Sequence, residues 1–260
     1  MADASNTRIY FASDFHLGID AKTTSLEREK CIVRWLDMIK ADATEIYLLG
    51  DVFDYWFEYK NAIPKGFNRL LGKLMELRDL NIPIYFFTGN HDMWMFKYFE
   101  THFNIPIYRN PIVKELNGKT FFLGHGDGLG PGDHGYKFIK KVFSNKLCQW
   151  LFARIHPNLG LGIMKFWSKK SRHSKGPDAA FLGGDKEWLV MFANETLDKQ
   201  LIDYFIFGHR HIPIDYTLKN GSSRYINLGE WLNFNSYAVF DGDNIQIKFF
   251  ENEPIDYHKS

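Results

Sequence analysis

Five short apolar runs, "RIYFAS", "EIYLLG", "IPIYFFTG", "KTFFLG" and "DYFIFG", punctuate the chain, separated by stretches of helical spacing or high polarity. Runs this short and this continuously apolar predict strands buried on both faces of an α/β sheet. Each stops at a glycine or a small polar residue, and the next few positions are rich in Asp, His or Asn. Ligands of open α/β sheets bind beyond the carboxyl ends of the strands, so these polar clusters are expected to converge although they lie far apart in sequence. Apolar residues returning every three or four positions predict helices over about 24–40, 66–80 and 185–200.

After residue 212 the pattern changes to alternation, in "IDYTLKNGSSRYINLG" and "SYAVFDGDNIQIKFF", which predicts antiparallel strands turning at Asn220-Gly221 and Asp241-Gly242. Between 136 and 155 the apolar residues Ile139, Val142, Phe143, Leu147, Trp150 and Leu151 form a helical stripe with lysines beside it. A second helix is expected from about 158 to 170, before "SKKSRHSKGP", which reads as loop. Neither repeats nor a low-complexity linker signal a boundary, so the expectation is one domain, 1–260, with a helical insertion at 134–177.

Composition narrows this further. With 260 residues, 45% of them hydrophobic, the chain can bury a full core. No apolar run is long enough to span a bilayer, and "MADASNTRIYFASD" lacks the basic and apolar regions of a signal peptide, so a soluble, cytoplasmic protein is expected. Cys31 and Cys148 have no CxxC spacing and read as reduced structural thiols. Net charge is only +1, yet the segment from His134 to Pro177 holds ten Lys or Arg and no Asp or Glu, leaving 22 basic against 31 acidic residues elsewhere. One segment therefore suits an anionic partner.

The five clusters are Asp14-Phe-His16, Gly50-Asp51-Val-Phe-Asp54, Gly89-Asn90-His91-Asp92, Gly124-His125-Gly126-Asp127 and Gly208-His209-Arg210-His211. Taken singly, Asp14 or Asp51 reads as a helix cap or turn former, Asn90 as a turn residue, and His125 as a hydrogen-bonded histidine. Five such clusters at strand ends are hard to explain by turn chemistry. Carboxylate, imidazole and amide oxygen without thiolate suit a catalytic divalent ion such as Mn, Fe, Zn or Mg rather than a structural zinc knot.

The order D-x-H, G-D-x-x-D, G-N-H-D, G-H, G-H-x-H resembles the calcineurin-like metallophosphoesterase superfamily over about residues 10 to 211. That resemblance implies a two-sheet α/β (α+β) sandwich flanked by helices. It implies two divalent metal ions, one held by Asp14, His16 and His211, the other by Asn90, His125 and His209, with Asp51 bridging. Mn is expected first, with Fe, Zn and Co compatible. Two such ions bind phosphoryl oxygens and lower the pKa of a water, whose hydroxide attacks in line, so no protein nucleophile is needed. His91, in the family's pattern, faces the substrate phosphate and stabilises the transition state or protonates the leaving oxygen, and Asp92 fixes its tautomer. Asp54 and Asp127 fit support of the ligands better than ligation.

Beyond these motifs, "GDVFDYWFEY", "HGDGLGPGDHGYKFIKKVF" and the run from "NKLCQWLF" to "MKFWSKKSRHSK" look like the UDP-2,3-diacylglucosamine pyrophosphohydrolases of lipid A synthesis. In that family the insertion is a lid over an acyl-chain pocket, and the enzyme works at the cytoplasmic face of the bacterial inner membrane. The reaction implied is attack on the α-phosphorus to give UMP and 2,3-diacylglucosamine 1-phosphate. The resemblance also implies substrate contacts at Asn90, His91, His209, Asp133, Ser171, Arg172 and Lys175. The segment's own residues agree in kind: seven aromatics (Tyr136, Phe138, Phe143, Trp150, Phe152, Phe166, Trp167) among its cations suit acyl chains and anionic head groups. The plainer alternative is a basic solvated helix pair packed on the core. Nucleic acid, which also favours cations with aromatics, is not expected for a chain so near neutrality.

One departure stands out. The best-known members of the lipid A family carry Arg in the third place of Gly-Asn-x-Asp, where this chain has His91. Arg is a permanent bidentate phosphate clamp, while His exchanges a proton near neutral pH. The sequence thus fits a divergent branch of the lipid A enzyme, or a relative acting on another lipid or nucleotide phosphodiester. A non-catalytic membrane- or protein-binding scaffold is the alternative from a different class.

Overall fold

The computed structural model describes residues 7–131, 134–174, 180–252 and 257–259, with side chains omitted at 134–136 and 170–174. In chain order the elements are β1 (Ile9–Ala12), α1 (Ser25–Ile39), β2 (Glu45–Leu49), α2 (Asn68–Asp79), β3 (Ile84–Phe87), α3 (Tyr98–Phe103), β4 (Ile107–Tyr108), β5 (Ile112–Leu116) and β6 (Lys119–Leu123). Next come α4 (His134–Ser144), α5 (Lys146–Phe152), α6 (Pro157–Ser174), α7 (Trp188–Leu197), β7 (Tyr204–Phe207), β8 (Pro213–Thr217), β9 (Arg224–Leu228), β10 (Ser236–Phe240), β11 (Ile245–Phe249) and β12 (His258–Lys259).

Two six-stranded sheets form the body, ordered β11-β10-β1-β2-β3-β4 and β12-β8-β9-β7-β6-β5. The five apolar runs are β1, β2, β3, β6 and β7, paired in parallel within their sheets. Their burial on both faces follows the period of two. Ile9, Phe11, Tyr47, Leu49 and Phe87 point between the sheets to meet Phe121, Leu123, Tyr204 and Ile206. The alternate residues Tyr10, Ala12, Ile46, Leu48, Ile84 and Phe86 point outward into a second core under α1, α2 and α3. Phe205 and Phe207 face α7 on the other outer side. The result is the expected sandwich flanked by helices.

The hairpins turn at the two dipeptides read from sequence, with Ile214 opposite Asn227 across β8 and β9 and Ala238 opposite Ile247 across β10 and β11. The helical segment departs from expectation in two respects. The stripe over 136–155 is two helices, broken where Asn145 Oδ1 accepts from the N–H groups of Leu147 and Cys148 and so caps α5. The second helix continues to Ser174 rather than ending near 170, because no Gly or Pro interrupts the chain between Gly162 and Gly176. The stretch read as loop is mostly helix.

Loop pairing continues past the strand ends and fixes the motifs in space. Asp14 N–H donates to Gly50 O at 3.0 Å, His16 N–H to Asp51 O at 2.9 Å and Leu17 N–H to Val52 O at 3.1 Å. Gly208 N–H donates to His125 O at 3.0 Å in the second sheet, and Trp231 N–H to Asp14 O at 3.1 Å crosses between the sheets.

Candidate metal centre

The first sheet delivers Asp14, His16, Asp51, Asn90 and His91, and the second delivers His125, His209 and His211. One half of the cluster gathers about His16. Its Nδ1 donates to Asp54 Oδ1 at 3.3 Å, which turns Nε2 toward Asp14 Oδ1 at 3.6 Å, Asp51 Oδ2 at 3.9 Å and His211 Nε2 at 3.1 Å. His211 Nε2 also lies 3.2 Å from Asp14 Oδ1. That oxygen is buried and, among the described residues, has no aligned hydrogen-bond donor.

The other half gathers about His125. Its Nδ1 donates to Leu49 O at 2.8 Å, so Nε2 faces Asp51 Oδ2 and Asn90 Oδ1, each at 3.3 Å. His209 Nδ1 is 3.0 Å from the same Asn90 oxygen. Asp51 Oδ2 thus stands between the two halves, while Asp51 Oδ1 accepts from His91 N–H at 2.8 Å.

Carboxylates brought together in a buried space repel unless positive charge sits among them. The electrostatics express that demand. Burial opposes ionisation of Asp14, yet His16 and His211 hold its carboxyl well below the usual range. Asp51 is likewise lowered against its burial, chiefly by His125. Burial also works against a charged His125, but Asp51 outweighs it and pushes the ring up to about 10. The donor set, two carboxylates, an amide oxygen and imidazoles, fits divalent ions.

The backbone bends sharply to achieve this. Asp14, His16, Asp51, His209 and His211 all have positive φ, between 46° and 69°, a left-handed conformation costly for residues other than glycine. Glycines beside them leave no room for a side chain. A Cβ on Gly50 would lie 2.6 Å from His125 Nδ1, and one on Gly89 or Gly208 would run into the Asp51 or Asp14 carboxylate.

His91 Nδ1 lies 3.1 Å from the carbonyl oxygen of Asp54 and 3.2 Å from Ser168 Oγ. Asp92, expected to fix this ring, does not. Its carboxylate turns back to accept from the N–H groups of Gly89 at 2.8 Å, and of Asp51 and Phe53 at 3.3 Å, because those three donors converge on the turn before it. Burial and the Asp51 charge push the Asp92 carboxyl up to about 7. Asp127 accepts from Lys140 at 2.6 Å, joining α4 to the His125 loop.

Asp133 and Lys175 lie outside the described residues. Ser171 and Arg172 fall in α6, outside the described side chains. Three supports escape a reading of the sequence. Arg28 is buried and donates to the carbonyls of Phe15, His16 and Ile19 at 2.6 to 2.7 Å, bracing the Asp14–His16 loop. Its signal is present, since it lies one turn before Ile32 on the apolar stripe of α1. Arg210 pairs with buried Glu187 at 2.6 Å and lies over the Trp188 ring, anchoring the loop between His209 and His211. Ser168 donates to Asp54 Oδ2 at 2.6 Å, and nothing in the sequence distinguishes it from neighbouring serines.

A two-sheet sandwich with this cluster at its strand ends defines a metal-dependent hydrolase of the phosphoesterase kind. The chain belongs to the calcineurin-like phosphoesterase family, whose profile matches residues 7–213. Among curated proteins it is 38% identical to the UDP-2,3-diacylglucosamine hydrolase of Porphyromonas gingivalis, over 94% of this chain and 98% of that one. It is 28% identical to the protein of the same name from a Shewanella species, over 93% and 96% of the two chains. A dimetal phosphatase from Danio rerio matches in fold with a TM-score of 0.51 at 15% identity, over 94% of this chain and 96% of the other.

Proposed function

We propose that the protein hydrolyses the diphosphate of UDP-2,3-diacylglucosamine, releasing UMP and 2,3-diacylglucosamine 1-phosphate. The observation that carries this is Asp51 Oδ2 set between the nitrogens of His16 and His125, each backed by further acceptors. The near full-length likeness to the Porphyromonas gingivalis hydrolase supports the choice of substrate. Asp14, His16 and His211 would hold one divalent ion and Asn90, His125 and His209 a second, with Asp51 shared and Mn the expected metal. Bound there, the ions supply Lewis acidity toward phosphoryl oxygens and a lowered pKa for water.

The chain's own residues do the rest. Asp54 O and Ser168 hold His91 at Nδ1, so proton exchange with the leaving oxygen falls to Nε2. Asp54 and Leu49 O fix the protons of His16 and His125 on Nδ1, keeping each Nε2 available as a ligand. Asp92 holds the turn that sets Asp51.

The segment α4–α6 is assigned as a lid for the acyl chains, in keeping with a single domain interrupted at 134–177. It carries Leu147, Trp150, Leu151, Leu159 and Phe166, all more than half exposed, beside Lys146, Arg154, Lys165 and Lys169. Apolar side chains ringed by cations suit an anionic membrane surface, and the cytoplasmic face of the inner membrane is where such a substrate would be met. No helix among the described residues is long and apolar enough to cross a membrane.

The test is UMP release from UDP-2,3-diacylglucosamine by Mn-loaded protein, beside the deacylated UDP-sugar and an aryl phosphodiester. Release confined to the diacylated compound is expected. His91→Ala should lower turnover by about 10²–10⁴ with metal content kept, and Asp51→Ala should lower both. Cleavage of the aryl diester without UMP release would assign the site to another phosphodiester.

A further inference from the structure

A cavity of about 560 Å³ opens beside the centre, between α4 and the loops after β3, β4 and β6. His125 and Asp127 form its inner end, so it communicates with the proposed metal ligands directly. Four cations line it, Arg109, Lys137, Lys140 and Lys141, against one acid, Asp127, which Lys140 already neutralises at 2.6 Å. Lys137 donates to Gly130 O at 2.7 Å, and Arg109 Nη2 to the carbonyls of Met95 and Phe96 at 2.6 and 3.0 Å, contacts that position both groups without cancelling their charge. Lys141 is exposed and has no ion pair among the described residues. Among the described residues, three positive charges around one concavity have no carboxylate partner, and they call for an anionic ligand.

The cavity also presents rings. Tyr108 lines it, and Phe138 stands 67% exposed at its rim. An exposed ring at Phe138 and a half-buried one at Tyr108, beside cations, offer a stacking surface for a base next to a site for a phosphate. The volume lies within the usual 300–1,000 Å³ or so of small-molecule sites.

The helix α4 separates this cavity from a packed apolar cluster. On its far side Phe143 packs at 5.1 Å from Trp94, in a cluster with Phe57, Phe152, Leu161 and Met164. A substrate with an acyl half and a nucleotide half on either side of a diphosphate meets matching halves here.

We propose that the cationic cavity receives the nucleoside monophosphate half of the substrate, the part that leaves as UMP. This rests on the reading of a UDP-linked lipid given above. The base stacks against Phe138 or Tyr108, and the phosphate lies between Lys141 and Arg109, next to His125. The lipid half then lies toward α5 and α6.

The experiment is calorimetric titration of metal-loaded protein with UMP, with uridine and with inorganic phosphate, for wild type, Lys141→Glu and Lys141→Gln. Lys165→Glu, a lid cation outside the cavity, is the control. UMP should bind more tightly than phosphate, and Lys141→Glu should weaken it at least ten-fold, with Lys141→Gln intermediate and the control within two-fold. Inhibition of turnover by UMP should fall in parallel, while inhibition by 2,3-diacylglucosamine 1-phosphate stays within two-fold. No binding of UMP, binding indifferent to Lys141, or equal weakening of both products would overturn the assignment. Phosphate matching UMP in affinity and in sensitivity to Lys141 would make the cavity a plain anion site and overturn it as well. If the protein does not cleave the UDP-lipid, the functional reading falls, but the UMP titration still decides the cavity by itself.

Discussion

At the scale of single residues, the centre is built from conformations that most side chains avoid. Asp and His tolerate the left-handed region better than bulkier residues, which is one reason a chain can place ligands there. The glycines around them have opposite meanings at different positions. Gly89 abuts the Asp51 carboxylate, whereas Gly72, within α2, has nothing in the space a Cβ would take. Gly89→Ala should therefore displace Asp51 and lower metal content and activity together. Gly72→Ala should stabilise the protein by about 0.5–1 kcal/mol with activity unchanged, through helix propensity alone. Denaturant melts and metal analysis of the two variants check this, and equal metal content in both would refute the account of Gly89.

The ligand types are legible because strand ends, glycines and metal-compatible side chains recur together in the sequence. The partner of His91 is not. Asp92 is adjacent in sequence, but the turn carries its carboxylate onto backbone N–H groups and leaves the ring to a carbonyl 37 positions away in the chain. Hydrogen bonds of that range depend on how loops fold over one another, and local pattern holds no record of them.

At the scale of elements, strands are easier to read than helix ends. Continuous apolar runs mark buried strands in parallel sheets, and Asn-Gly and Asp-Gly mark hairpins. The ends of α5 and α6 are obscured because Asn145 interrupts a stripe whose period continues past it, and because lysine-rich helical sequence resembles loop in polarity. Among the described side chains, α6 reaches the centre through the buried Ser168. Removing its hydroxyl takes one donor from Asp54 Oδ2 and one neighbour from the His91 ring. Ser168→Ala should lower kcat about ten-fold with metal content unchanged, and Ser168→Thr should recover part of the loss. An unchanged kcat would leave α6 a cover with no part in orienting His91.

At the scale of the whole molecule, the two sheets are joined by the centre as well as by their shared core. Ligands from both must approach for the lone pairs to meet, so ions bound there tie the sheets together. At free metal about 100-fold above the dissociation constant, binding contributes ~2.7 kcal/mol, or roughly 5–10 °C in melting temperature for a domain of this size. Chelation should lower Tm by about that amount in wild type and by much less in Asp51→Ala. Identical melting with and without chelator would argue against ion binding between the sheets.

The topology also sets an order of events during synthesis. β1, whose end carries Asp14, pairs on one side with β2 soon after it, but its other edge waits for β10, which begins at Ser236. At ~5–20 residues per second the interval is on the order of tens of seconds. Throughout that time the nascent chain exposes the open side of an apolar strand, a template for pairing with neighbouring chains on the same message. The molecule is thus most prone to misassociate before β10 has been translated, and slow codons placed just upstream of β10 would be expected to lower its soluble yield.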